Sequence, residues 1–315
     1  MSVQKEFKPG AYIFADLERL TPEQAEQAAR IWQLLNDHGM PVLNHPTHFM
    51  RRYQLLRTLY EHGINQHNIY RLTEARIPEH FPVFLRGENE HGGNVSPPLN
   101  NVAELNAAIA DLEAQGLSLE DKVIVELVNT ADETGLIRKY GAMIIGDQIL
   151  ADHMMFSQHW MVKSATSFDP LPQVFADEEL DYMRTNPHEA MIREVVNIAR
   201  VEYGRIDYGM KDGKIQVWEI NSNPSLALNL LPELGGYTEA IRLGVEAYNR
   251  ALNRINDIPL PSHTVVNQHR EQWITRVSGK ILTTLPRSYV PHIRERWRDY
   301  QWHRAYKRTN GKSGK

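Results

Sequence analysis

The chain has 315 residues, of which 42% are hydrophobic, with a net charge of −4 and no cysteine. The missing thiols exclude disulfides, cysteine nucleophiles and thiolate metal sites. No apolar run approaches the roughly 18 residues that a membrane span needs, and the polar first ten residues carry no secretion signal, so a cytoplasmic enzyme of two or three packed units is expected.

Residues 11–14 read as a strand, 22–38 as a helix capped by Thr21 with Pro22 at its first position, and 41–43 as a short strand. A second helix covers 51–57. Residues 81–93 form an apolar strand that runs through Arg86 into a glycine loop, where Gly92 and Gly93 offer a backbone cradle for phosphate and Arg86 a clamp. A helix is expected over 105–115. Residues 122–128 form a buried-type strand with Glu126 near its end; a polar stretch at 129–134 and a hairpin over 140–150, turning at Gly146-Asp147, come next. A helix starts at Asn186-Pro187 and runs to about residue 202, feeding a second hairpin.

That second hairpin, residues 205–224, carries the most chemistry. Asp212-Gly213 is a strong turn signal. Glu219 and Asn221 are two apart and share a strand face, with Val217, while Gln216, Trp218 and Ile220 take the other. A two-residue turn sets Asp207 opposite Trp218, on the wrong face; a three-residue or bulged loop aligns it with Glu219 or Val217. Two carboxylates and an amide oxygen suit an open Mg2+ site completed by water and phosphate, so Asp207, Glu219 and Asn221 are the candidate metal ligands and the expected loop is bulged.

The order of these parts resembles the ATP-grasp superfamily, especially its carboxylate-amine ligases such as the glutamate-adding and D-alanine-joining enzymes. The resemblance covers about residues 40 to 235. It rests on Leu43-Asn-His-Pro46 before a helix, the strand and glycine loop from Pro82 to Gly93, the Glu126 strand, and Asp207, Glu219, Asn221 and Pro224. It implies a mixed α/β (α+β) ATP-grasp fold, two subdomains clasping the nucleotide. The implied units are a reduced N-terminal segment (1–45), a small subdomain (46–122), a nucleotide and metal subdomain (123–260) and a basic helical extension (261–315). It further implies ATP and Mg2+, or Mn2+, as cofactors, with Arg52 and Arg86 on the phosphates and the Leu127 and Val128 backbone beside Glu126 on adenine. The implied reaction joins a small-molecule or peptide carboxylate to an amine through an acyl phosphate, and a homodimer is common in such enzymes.

The sequence also departs from that pattern. Where the family usually has two phosphate-binding lysines, this chain has Arg52 and Arg86, and an Arg is not a neutral replacement at such a site. For the cation that meets the acyl phosphate the candidates are Arg138, His159 and Lys163. A kinase acting on a hydroxyl, or a silent nucleotide-binding scaffold, are the alternative readings. From His269 onward the chain has a net charge of +9, leaving −13 on the first 268 residues. Its aromatics among cations suit a helix over 294–307 and contact with an acidic partner, or packing on the acidic body.

Overall fold

The computed structural model describes residues 6–7, 10–74, 76–89, 95–163, 166–224, 239–257, 266–267 and 281–283. Two antiparallel sheets face each other across one helix. The larger runs β10-β9-β7-β8, built from β7 (Ile137–Ile145), β8 (Gln148–Ser157), β9 (Tyr203–Lys211) and β10 (Lys214–Asn221). The smaller runs β4-β6-β5, with β4 (Ile69–Arg71), β5 (Val83–Gly87) and β6 (Lys122–Glu126).

The helix between them, α2 (Arg52–Glu61), is apolar on two sides. Leu55 and Leu59 pack with Ile144, Ile206, Val217 and Ile220 of the large sheet, a core shared with Ile192 and Val195 of α5 (Glu189–Ala199). Leu56 packs with Ile69, Val123 and Val125 of the small sheet. Residues one turn apart thus weld both sheets to one rod, and the cleft between the sheets follows from that geometry. The outer face of the small sheet is closed by Leu105 and Leu112 of α3 (Val102–Ala114), which Asn101 caps by accepting from Glu104 N–H at 3.0 Å.

The N-terminal unit is a sheet of β2 (Tyr12–Phe14), its parallel neighbour β3 (Val42–Leu43) and the antiparallel β12 (Ile281–Thr283), packed on α1 (Pro22–Asp37). The shorter β1 (Glu6–Phe7) pairs with β11 (Val266–Asn267). Two short strands of the extension, β11 and β12, pair with β1 and β2, and the helix expected over 294–307 lies outside the described residues. Asn44, with φ of 63°, latches this unit to the large sheet. Its amide donates to Phe14 O and Tyr203 O, and its carbonyl accepts from the Glu202 and Tyr203 N–H groups, all within 2.7–3.0 Å.

Several elements differ from expectation. β6 belongs to the small sheet, which carries that sheet to Glu126, past residue 122. The first hairpin is longer than 140–150, spanning β7 and β8. The helix expected from Asn186 is α5, and ahead of it stands an unexpected helix, α4 (Gln173–Thr185), ended by Asn186 in the left-handed region. Also beyond the expectations is α6 (Glu239–Asn256), whose Tyr248 and Ala251 cover Met143 and Ile145 of β7. No helix among the described residues is long and apolar enough to cross a membrane.

Candidate active site

The large sheet has one apolar face and one face whose end is charged. Along β9, Ile206 and Tyr208 enter the core while Arg205 and Asp207 take the opposite face. Along β10, Ile215, Val217 and Ile220 are core, an interval of three that strict alternation forbids. The pairing explains it: Val217 faces Tyr208, Glu219 faces Asp207, and Trp218 is the extra residue of a β-bulge. The turn itself is the tight two-residue Asp212-Gly213, with φ of 51° and 74°. The alignment of Asp207 with Glu219 is thus the one expected, but a bulge inside the strand makes it, not the loop. Trp218 and Glu219 consequently line the same cavity.

Asp207 is 2% exposed. Lys139 Nζ pairs with its Oδ2 at 2.5 Å and Arg205 Nε with its Oδ1 at 3.1 Å. Burial alone raises the Asp207 pKa, but the Lys139 and Arg205 cations outweigh it and hold the carboxyl below the usual range. Glu219 accepts from Arg52 Nη2, with Arg86 Nη2 at 3.8 Å. Burial and the nearby Arg86 lower the Lys163 pKa, with Glu219 opposing and Lys139 reinforcing the shift. Positive charge is crowded here beyond what two carboxylates balance, the condition for binding a polyanion.

These groups form one end of a cavity of about 630 Å³ between the sheets. Arg86, Lys139, Lys163, Asp207 and Glu219 line that end; Leu56, Pro82, Phe84, Val125, Leu127 and Trp160 line the rest. Phe84 and Trp160 lie against each other with ring centroids 5.3 Å apart. Trp218 lies over Gly209, where a Cβ would meet its Cζ2 at 2.9 Å. An apolar slot with aromatic walls and a charged mouth suits a flat base carrying phosphates.

Solved structures similar to this chain include D-alanine–D-alanine ligase from Bacillus anthracis complexed with ATP, at 16% identity and a TM-score of 0.40, over 71% of this chain and 75% of that one. The D-alanine–D-alanine ligase of Coxiella burnetii is similar at 12% identity and a TM-score of 0.40, over 79% and 72%. A RimK domain ATP-grasp protein of Sphaerobacter thermophilus follows at 16% identity and a TM-score of 0.37, over 72% and 76%. No protein-family model matches the chain, and no curated protein does. At such TM-scores the likeness adds no weight to the site, whose chemistry stands on its own geometry.

The structure brings some candidate residues together and separates others. Asp207, Glu219, Arg86, Lys163, Glu126, Leu127 and Val128 all line the cavity. Arg52 does not; it sits behind Glu219 in a small recess with Glu18, Glu88 and Asn89, donating to Glu88 O at 2.8 Å. Asn221 shares the site face, pairs in register with Arg205, and accepts from Asn223 N–H at 2.7 Å. Arg138 is committed elsewhere, with Asp132 at 2.6 Å and Glu178 at 2.5 Å, and the adjacent Lys139 occupies the cavity. His159 is exposed, off the cavity wall, its Nδ1 3.1 Å from Met161 N. The Glu126 carboxylate is buried and accepts from Tyr70 Oη, Asn68 N, Glu79 N and His80 N within 2.8–3.1 Å, a joint of the small subdomain rather than a group free for a ligand. Leu127 N–H donates to Pro82 O at 2.8 Å. Gly92 and Gly93 lie outside the described residues.

Lys139 and Arg205 are the site cations that sequence reasoning missed. Arg205 had a signal, since it stands two residues before Asp207 on one strand and so shares its face. Lys139 had none, because β7 is buried on both faces and its parity cannot be read.

Proposed function

We propose that the chain is an ATP-dependent carboxylate-amine ligase of ATP-grasp type. One observation carries this reading: three cations, Arg86, Lys139 and Lys163, share the charged end of the cavity with Asp207 and Glu219, beside an apolar aromatic slot. The slot takes the base, and the three cations neutralise the phosphates at its mouth. A substrate carboxylate attacking the γ-phosphoryl group in line gives an acyl phosphate and ADP. An amine then displaces phosphate, and the amide forms without a covalent enzyme intermediate, consistent with a chain lacking cysteine. Lys139 and Arg205, already fixed against Asp207, are placed to balance negative charge on the transferred group.

The donor set is suited to Mg2+ or Mn2+. Asp207, Glu219 and Asn221 supply hard oxygens on paired strands, and the cations now on the two carboxylates can exchange partners toward phosphate. Among the described residues no group of three His, Cys, Asp or Glu side chains is arranged for a metal. Such an ion, when bound, supplies charge neutralisation between phosphate oxygens.

Isothermal titration of ATP with and without Mg2+, on wild type and on Glu219→Gln/Asn221→Ala, tests the proposal. Metal-dependent binding lost in the variant, with an unchanged circular dichroism spectrum, is expected. Wild type that binds no nucleotide, or a variant that still turns ATP over, overturns it. Screening carboxylate and amine pairs for ADP and amide, against a stable phosphoester, separates ligase from kinase.

A further inference from the structure

Glu219 holds its two carboxylate oxygens in unequal surroundings. Both cations beside it meet Oε2: Arg52 donates to that oxygen from Nη2, and Arg86 Nη2 lies 3.8 Å from it. The two cations differ in what they can do next. Arg86 lines the cavity and can turn from Glu219 toward a phosphate. Arg52 is held in place. Its side chain is 5% exposed and stands in the recess behind Glu219. Its Nη1 donates to Glu88 O at 2.8 Å and to Gly87 O at 3.3 Å, which anchors the guanidinium on the carbonyls at the end of β5.

Local rules alone disfavour this placement. Arg52 is the first residue of α2, where the helix dipole opposes a cation, and a buried guanidinium is tolerated only when it is paired. Glu219 supplies the counter-charge, while its own side chain, 23% exposed, still opens to the cavity. One arm of the fork therefore grips backbone carbonyls and the other grips one carboxylate oxygen, so the carboxylate is fixed from behind.

Given the nucleotide and metal reading above, we infer that Arg52 is a positioning residue for the metal: it keeps Oε2 of Glu219 and leaves Oε1 as the one oxygen that this carboxylate gives to the ion. A single oxygen suits Mg2+, whose octahedral shell is completed by water and phosphate. It handicaps Ca2+, whose larger shell gains from a bidentate carboxylate. Arg52 thus acts on the choice of ion, and not on the phosphates where the ATP-grasp resemblance puts it.

The test is isothermal titration of the full chain with ATP in EDTA, in Mg2+ and in Ca2+. Wild type is expected to bind ATP about tenfold more tightly in Mg2+ than in Ca2+. Arg52→Met is expected to abolish that preference while leaving affinity in EDTA within about threefold of wild type. Arg52→Lys, which keeps a cation but not the fork, retains part of the preference. In a Glu219→Gln background neither substitution changes the ratio further, because Arg52 acts through Glu219. Equal affinity of wild type in the two ions overturns the inference. An unchanged ratio in Arg52→Lys, with only a lowered melting temperature, does the same, and so does a loss of about tenfold in EDTA, which would make Arg52 a phosphate ligand. Absence of any nucleotide binding by wild type would instead refute the ligase reading.

Discussion

Asp207 and Glu219 face each other across β9 and β10 only because Trp218 is bulged out between Val217 and Glu219. Without the bulge, regular pairing from the tight turn at Asp212-Gly213 would place Trp218 opposite Asp207. The bulge thus adds an aromatic wall to the cavity while leaving the carboxylate pair in register.

Deleting Trp218 tests this directly. Regular alternation after deletion keeps Val217 and Ile220 in the core and Glu219 and Asn221 on the site face, so the hairpin is expected to fold and retain metal binding. Nucleotide affinity is expected to fall about tenfold, the scale of one lost base-aromatic contact. Circular dichroism and calorimetry check both parts; loss of the fold would show that the bulge is needed for pairing itself.

Lys139→Met removes one of the two cations that hold the Asp207 carboxylate charged against burial. A carboxylate with a lowered folded-state pKa contributes stability that is complete above its ordinary value of 3.8 and is lost as pH falls through the folded value. With Lys139 gone, that folded value rises, and acid unfolding is expected to begin at higher pH. At neutral pH the loss is about 2 kcal/mol, the worth of a charge-assisted hydrogen bond. Acid and urea titrations followed by fluorescence measure the two effects.

Asn44→Ala breaks the latch between the N-terminal unit and β9. Four hydrogen bonds are lost, buried backbone groups lose partners, and a residue ill suited to φ of 63° is introduced. A cost of about 3–4 kcal/mol is expected in chemical denaturation. Asn44→Gly, which tolerates the backbone but not the bonds, should fall between wild type and Asn44→Ala.

Gly141 pairs with Asp207 on one side and His153 on the other. A Cβ there would meet His153 Cε1 at 2.3 Å, and the ring is held by Asp152 at 2.8 Å. Gly141→Ala should cost about 1–3 kcal/mol through overpacking, and His153→Ala in the same chain should restore most of it. Thermal denaturation of the three variants decides.

Local chemistry made part of this protein legible from its sequence. The Asp212-Gly213 turn, the Thr21 cap and Pro22 start of α1, and the Glu219-x-Asn221 face depend on neighbours within a few residues, where propensity and period suffice. Tertiary structure alone decided the rest. Lys139 rather than Arg138 reaches the cavity because it shares the face of Gly141, which pairs with Asp207, and β7, covered on both faces, shows no alternation from which that parity could be read. Glu126 became a joint of the small sheet because four donors, from 68–70 and 79–80, converge on it. His67, 149 residues from Gln216 in the sequence, meets it only where α2 holds the two sheets together. Contacts across such separations are set by packing, which no local pattern encodes.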